Sequence, residues 1–168
     1  LKQIRNQNKI LFFFLKPFSL IINYLSSQKD DISLHRIKIF DGEIERNFSN
    51  DNKYYSIGRT KEFLNWRYIK SPKHYQCFKI FCKGKLIGYC VISIEEKFGL
   101  KFAWVIDLYI QDKFINYFYI VLNIIATKFF LESDFITSLL PNICYKKYYA
   151  RAGFFKIPQF LFPHQFYF

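Results

Sequence analysis

Apolar residues along this chain come in short crowded runs in some places and in one long stretch in another. Residues 75–82, 85–94 and 102–110 are rich in Phe, Ile, Tyr and Val over strand-like lengths. Lys83-Gly84 between the first two predicts a tight hairpin turn, and Gly99 marks a loop before the third. Residues 112–131 are apolar over a helical length, and 134–140 again read as a strand. Residues 142–153 predict a helix, followed by strands over 154–157 and 160–168 that Pro158 separates. Upstream, residues 60–69 predict a helix that Thr60 caps, with Phe63, Leu64, Arg67 and Tyr68 set against its other face. Ser71-Pro72 stops it.

The first 29 residues follow a third pattern. Leu11, Phe14, Phe18, Ile21 and Ile22 lie three and four apart, predicting an amphipathic helix broken near Pro17. Lys2, Arg5, Lys9, Lys16 and Lys29 sit there without an acidic residue, so a core-covering helix competes with one lying on a membrane surface. Residues 26–58 are polar and irregular, with one strand expected at 36–40. The chain thus divides into an N-terminal helix with an irregular segment, 1–58, and an α/β domain, 59–168, whose mixed sheet carries helices on its faces.

The chain has 168 residues, 51% hydrophobic and 22% aromatic, enough for a sizeable core and too apolar for disorder. It contains no methionine and begins with Leu1, so it is expected to be a piece of a longer polypeptide. A formal charge of +12 favours anionic partners, although Lys, Asn, Ile, Phe and Tyr rise together as they do under a compositional bias. Nucleic-acid binding is not expected, and peripheral membrane contact stays open. Residues 10–25 contain Lys16 and Pro17 and fall short of the roughly 20 apolar residues a membrane span needs. Cys77, Cys82, Cys90 and Cys144 show no metal-ligand spacing with each other or with His35, His74 and His164. Reduced thiols in a cytoplasmic protein and no bound metal are expected.

The densest signal runs from Asn142 through Tyr145, Tyr148 and Tyr149 to Gly153-Phe154. Asn142 is placed to cap a helix and Gly153 to end one. This spacing resembles the Asn-x-x-Ala-x-x-Leu-Tyr-x-x-x-Gly-Phe signature of the GNAT N-acetyltransferases, with Tyr145 and Tyr148 standing where Ala and Leu are usual. Ile106-Asp107-Leu108-Tyr109-Ile110 resembles the end of the GNAT strand that leads to the coenzyme-binding loop. The order of elements from residue 59 onward agrees with that fold.

The resemblance implies an acyl-coenzyme A N-acyltransferase that moves an acetyl or other acyl group to an amine or amino-sugar acceptor. It implies Tyr149 as general acid toward the departing thiolate and Asp107 as base or acceptor contact. It further implies backbone contacts from Leu108, Tyr109 and Ile110 to the pantetheine arm, with Asn142 beside the thioester. Core packing for Tyr149, strand-end hydrogen bonding for Asp107 and helix capping for Asn142 are the plainer readings of the same residues.

The usual glycine-rich pyrophosphate loop is missing, and Gln111-Asp112-Lys113-Phe114-Ile115-Asn116 stands in its place. Asp112 opposes phosphate at a helix start, and Lys113 offsets part of that. A non-catalytic GNAT-like module, or half of a tandem protein whose other half bears the glycines, is therefore the competing expectation. Arg59 to Tyr68, followed by Pro72 and Tyr75, resembles a stretch of GNAT-like proteins tied to cell-surface polysaccharide pathways. Trp66 and Arg67 would there shape an acceptor pocket; the alternative is Trp66 in the core and Arg67 in a structural ion pair.

Overall fold

The computed structural model describes residues 31–48, 59–138 and 145–154, and the structural statements below concern these. Five strands form one sheet in the order of the chain: β1 Ile32–Ile37, β2 Tyr75–Cys82, β3 Lys85–Lys97, β4 Leu100–Ile110 and β5 Phe135–Ser138. The first four pair antiparallel, and β5 joins β4 in parallel. That last step needs a crossover, which a 3₁₀ turn at Asp112–Tyr117 and helix α3, Phe118–Phe129, provide. Helices α1, Gly42–Phe48, and α2, Lys61–Leu64, precede β2, and α4, Lys146–Arg151, follows β5.

The expected hairpin forms at Lys83-Gly84, where both residues have positive φ (49° and 75°) as a type I′ turn requires. Strand β2 occupies the expected residues, whereas β3 runs three residues beyond its expected end to Lys97. Strand β1 begins earlier than the expected 36–40 and ends at Ile37, since Ile32 pairs with Cys82 and Ile37 with Cys77. It lies in the same sheet as β2 to β5. Helix α1 was not anticipated: its polar face hid Ile44, which is fully buried beside Phe40. The expected helix 112–131 is 3₁₀ over its first six residues, and α4 occupies part of the expected 142–153. The expectations for residues 1–29, Asn142, Cys144, His164 and the two final strands concern positions outside the described residues.

Both sheet faces are covered, and the central β3 is accordingly buried on both sides from Leu86 to Ser93. On one face Phe78, Ile80, Ile92, Val105 and their neighbours pack under α3 and α4. On the other, Cys77, Leu86, Tyr89 and Val91 pack under α1, α2 and the turn after it. Gly88 marks the closest approach of β3 to β4, because a Cβ there would lie 2.1 Å from the Tyr109 carbonyl oxygen.

Candidate active site

A bulge in β4 organises the region. Val91 pairs with Asp107 but Ile92 pairs with Val105, so Ile106 is an extra residue. Before it, Ala103 and Val105 face the α3 side, and after it Leu108 and Ile110 do so again. Ile106 packs on the opposite face and the neighbouring Asp107 points to the same side, reaching Tyr68 and Tyr89 there. Without the inserted residue, strict alternation would aim Asp107 into the apolar α3 layer. Among the described residues, parallel pairing between β4 and β5 runs from Phe102↔Phe135 to Val105↔Ser138.

The Asp107 carboxylate is held from two directions. The hydroxyls of Tyr68 and Tyr89 donate to its Oδ2 at 3.0 and 2.9 Å. Each tyrosine is backed by an arginine: Arg59 Nε donates to the Tyr89 hydroxyl at 2.9 Å and Arg67 Nε to that of Tyr68 at 3.1 Å. The Arg59 guanidinium also lies over the Tyr109 ring at 4.5 Å. Burial, then the Asp107 charge, drives the Tyr68 and Tyr89 phenols well above their usual pKa, so both stay protonated and act as donors. Burial works against the Arg59 charge, but Tyr89 and Asp107 outweigh it and the pKa is raised.

Local sequence explains how these groups converge. Thr60 Oγ1 accepts the Phe63 amide at 3.2 Å, opening α2 as expected. The helix then widens into a π turn over Asn65–Ile69, closed by the Lys70 amide on the Asn65 carbonyl at 2.9 Å. Asn65 also clamps Phe40, accepting from its amide at 2.8 Å and donating to its carbonyl at 2.7 Å. The expected core position of Trp66 is wrong: it is 65% exposed. The expected ion pair of Arg67 is replaced by the Tyr68 hydroxyl, and no carboxylate lies within ion-pair distance of it among the described residues.

Tyr149 occupies the other face. It is 5% exposed and packs in the α3 layer against Phe118 and Phe154. Its hydroxyl shares a 2.7 Å hydrogen bond with Ser138 Oγ, at the last paired residue of β5. Burial raises its pKa, with the Ser138 hydrogen bond opposing. Tyr145 and Tyr148, which depart from the GNAT signature, lie on Phe118 with ring centroids 5.0 and 5.8 Å away. Aromatic packing on one phenylalanine thus replaces the usual small and aliphatic contacts. Gly153 ends α4 at φ 81°, and the Phe154 amide returns to the Tyr149 carbonyl at 3.0 Å.

The turn after β4 does not form the usual anion cradle. The Gln111 amide bonds the Ile87 carbonyl at 3.0 Å, and that of Phe114 bonds the Gln111 carbonyl at 2.8 Å. The Phe118 amide at the head of α3 is spent on Ile115. Gln111 itself is buried, its Nε2 donating to the Asn47 carbonyl at 2.7 Å. Lys113 and Lys85 instead flank the Phe114 ring at 5.4 and 6.0 Å. The turn therefore does not suit the pyrophosphate of coenzyme A in the glycine-loop manner. Among the described residues no group of three His, Cys, Asp or Glu could hold a metal ion, and no helix is long and apolar enough to cross a membrane.

The residues that sequence reasoning missed here are Arg59, Tyr68 and Tyr89. Their signal was weak: the hairpin register sets Tyr89 opposite Tyr109, two positions from Asp107, but only the bulge turns Asp107 toward it.

No family model and no curated protein matches the sequence. Solved structures do. A probable acetyltransferase superposes with a TM-score of 0.59 at 12% identity, covering 76% of this chain and 91% of that one. An aminoglycoside N-acetyltransferase in complex with a bisubstrate analogue, coenzyme A joined to monomethyl-acetylneamine, gives 0.53 at 13% identity over 79% and 97%. Glucosamine-6-phosphate N-acetyltransferase from Arabidopsis thaliana gives 0.51 at 15% identity over 76% and 93%. Identities this low speak for the fold alone, and on that the bulged mixed sheet and its neighbours agree: this chain is folded as a GNAT N-acetyltransferase domain is.

Proposed function

We propose that this domain transfers an acyl group from an acyl thioester, acyl-coenzyme A in the first instance, to an amine. The observation that carries the reading is the β4 bulge. It presents Asp107 to one face beside the point where Tyr149, on the other, is tied to Ser138 of β5.

With Oδ2 occupied by two tyrosine hydroxyls, Asp107 Oδ1 is the atom that would accept an N–H of the incoming amine. The carboxylate takes the proton as the carbon–nitrogen bond forms and the nitrogen becomes acidic. Leu108, Tyr109 and Ile110 would hold the pantetheine arm by their backbone groups. Tyr149, with its pKa raised by burial, stays protonated and would donate a hydrogen bond, and then its proton, to the departing sulphur. Lys113 and Lys85 are the cations available to the phosphate end.

The acceptors named for the fold neighbours, aminoglycosides and glucosamine 6-phosphate, support an amine or amino sugar as substrate. The internally bonded amides of the Gln111 turn favour a second reading, a module that keeps the fold without turnover. Thiol release from acetyl-coenzyme A, followed against a panel of amines, separates the two. Turnover that Asp107→Asn lowers about 100-fold supports transfer; no release with any amine leaves the module.

A further inference from the structure

We propose that the acceptor is an amine that also bears a carboxylate or phosphate, its anion taken by Arg67 with Arg59 beside it. The chemistry of the inference rests on the acyl-transfer reading above, but the site itself is argued from charge and geometry.

The cluster around Asp107 holds one carboxylate and two guanidinium groups. Neither arginine has a carboxylate within ion-pair distance among the described residues. The other cation on this face is treated differently: buried Lys79 is matched by two acids, Asp41 at 2.8 Å and Glu43 at 2.6 Å. Counted over the described residues, the Asp107 cluster thus keeps one positive charge in excess, next to a carboxylate whose Oδ1 is open to an ammonium group in the acyl-transfer reading.

Both arginines are fixed in the same way, through Nε on a tyrosine hydroxyl that in turn holds Asp107. That grip orients each guanidinium and, among the described residues, occupies one of its donors. The terminal amino groups retain the fork that pairs in parallel with carboxylate or phosphate oxygens. An arginine anchored to a hydroxyl over a buried tyrosine has already lost much of its side-chain freedom, which lowers the cost of ordering it around a ligand. Trp66, immediately before Arg67 in the π turn, is largely exposed, and its ring and the Arg67 guanidinium both lie near the Phe63 ring, at 6.0 and 5.9 Å.

The test needs no acyl donor. Nuclear magnetic resonance of ¹⁵N-arginine-labelled protein, titrated with inorganic phosphate, reads the Nε–H of Arg67 and Arg59 directly. Calorimetry with two matched pairs, phosphoethanolamine against ethanolamine and glucosamine 6-phosphate against glucosamine, reads the preference. The expected result is saturable shifts at both arginines and at least about tenfold tighter binding of the anionic partner. Arg67→Gln should remove that preference without changing the melting temperature, and Arg67→Lys should restore only part of it. Equal affinity within both pairs, no binding by either member, or a preference that survives in Arg67→Gln would overturn the proposal. Anionic amines that bind as expected but are never acylated would sink the transferase reading and leave the site. Neutral amines acylated as readily as anionic ones would do the reverse.

Discussion

The α3–α4 face of the sheet is closed by interlocking apolar side chains, with Phe78, Leu122, Ile125 and Phe129 all but inaccessible. The α1–α2 face buries a similar strand surface, yet it admits a carboxylate, two phenols and two guanidinium groups linked in one network. A polar network in a low-dielectric layer is costly unless each member is satisfied, so its retention points to use rather than stability. One residue, Ile106, makes the difference, because the bulge it creates sends Asp107 to the polar side. The groups that hold Asp107 are thus confined to one side of the sheet, and the larger apolar layer to the other.

The largest effect is expected where the faces share a backbone. Gly88→Ala places a Cβ against the Tyr109 carbonyl, so β3 and β4 must part. A loss of more than about 3 kcal/mol, seen as a collapsed denaturant midpoint, is the expected outcome; a stable variant would mean that the β3–β4 spacing is wrong. Next comes the contrast itself. Leu122→Ala, on the apolar face, should cost about 2–5 kcal/mol in unfolding free energy while leaving the activity of folded molecules alone. Asp107→Asn should cost no more than about 1 kcal/mol, since the amide oxygen still accepts, and yet lower turnover about 100-fold. Equal losses of stability would erase the distinction between the faces.

Much of this division escaped the sequence for definable reasons. The run Tyr75 to Cys82, the Lys83-Gly84 turn and the end of α4 at Gly153 were legible because strand period and turn chemistry are local properties. Asp107 and Tyr149 could be singled out by spacing, but their assignment to opposite faces depends on a bulge that leaves no compositional mark. Trp66 read as core because aromatic residues usually are, yet it lies midway between buried Leu64 and Tyr68 and so on the opposite side of the turn. Arg59 went unnoticed because its partners come from β3 and β4, far along the chain.

Smaller effects follow from titration. Burial pushes the Cys77 thiol up to about 11, and burial with the Asp107 charge raises the Tyr68 and Tyr89 phenols further. A raised folded pKa gives stability that is complete below the unfolded value and is lost as pH climbs toward the folded one. Unfolding free energy should therefore begin to fall above about pH 9, and Tyr89→Phe should flatten that decline. A decline of unchanged slope would separate the phenols from it. The smallest change is expected at Asp41, whose carboxyl is held below its usual range by the Lys79 hydrogen bond. Because that carboxylate is more than half exposed, Asp41→Asn should cost less than about 1 kcal/mol, and only above the usual carboxylate range near pH 4.

The central claim is that a thioester is received where β4 bulges, between Asp107 on one face and Tyr149 on the other. Backbone amide resonances recorded during a titration with acetyl-coenzyme A address it directly. Saturable shifts concentrated at Ile106 to Ile110 and at Ser138 and Tyr149 are predicted. Unmoved resonances at millimolar ligand, or shifts confined to exposed lysines elsewhere, would contradict it.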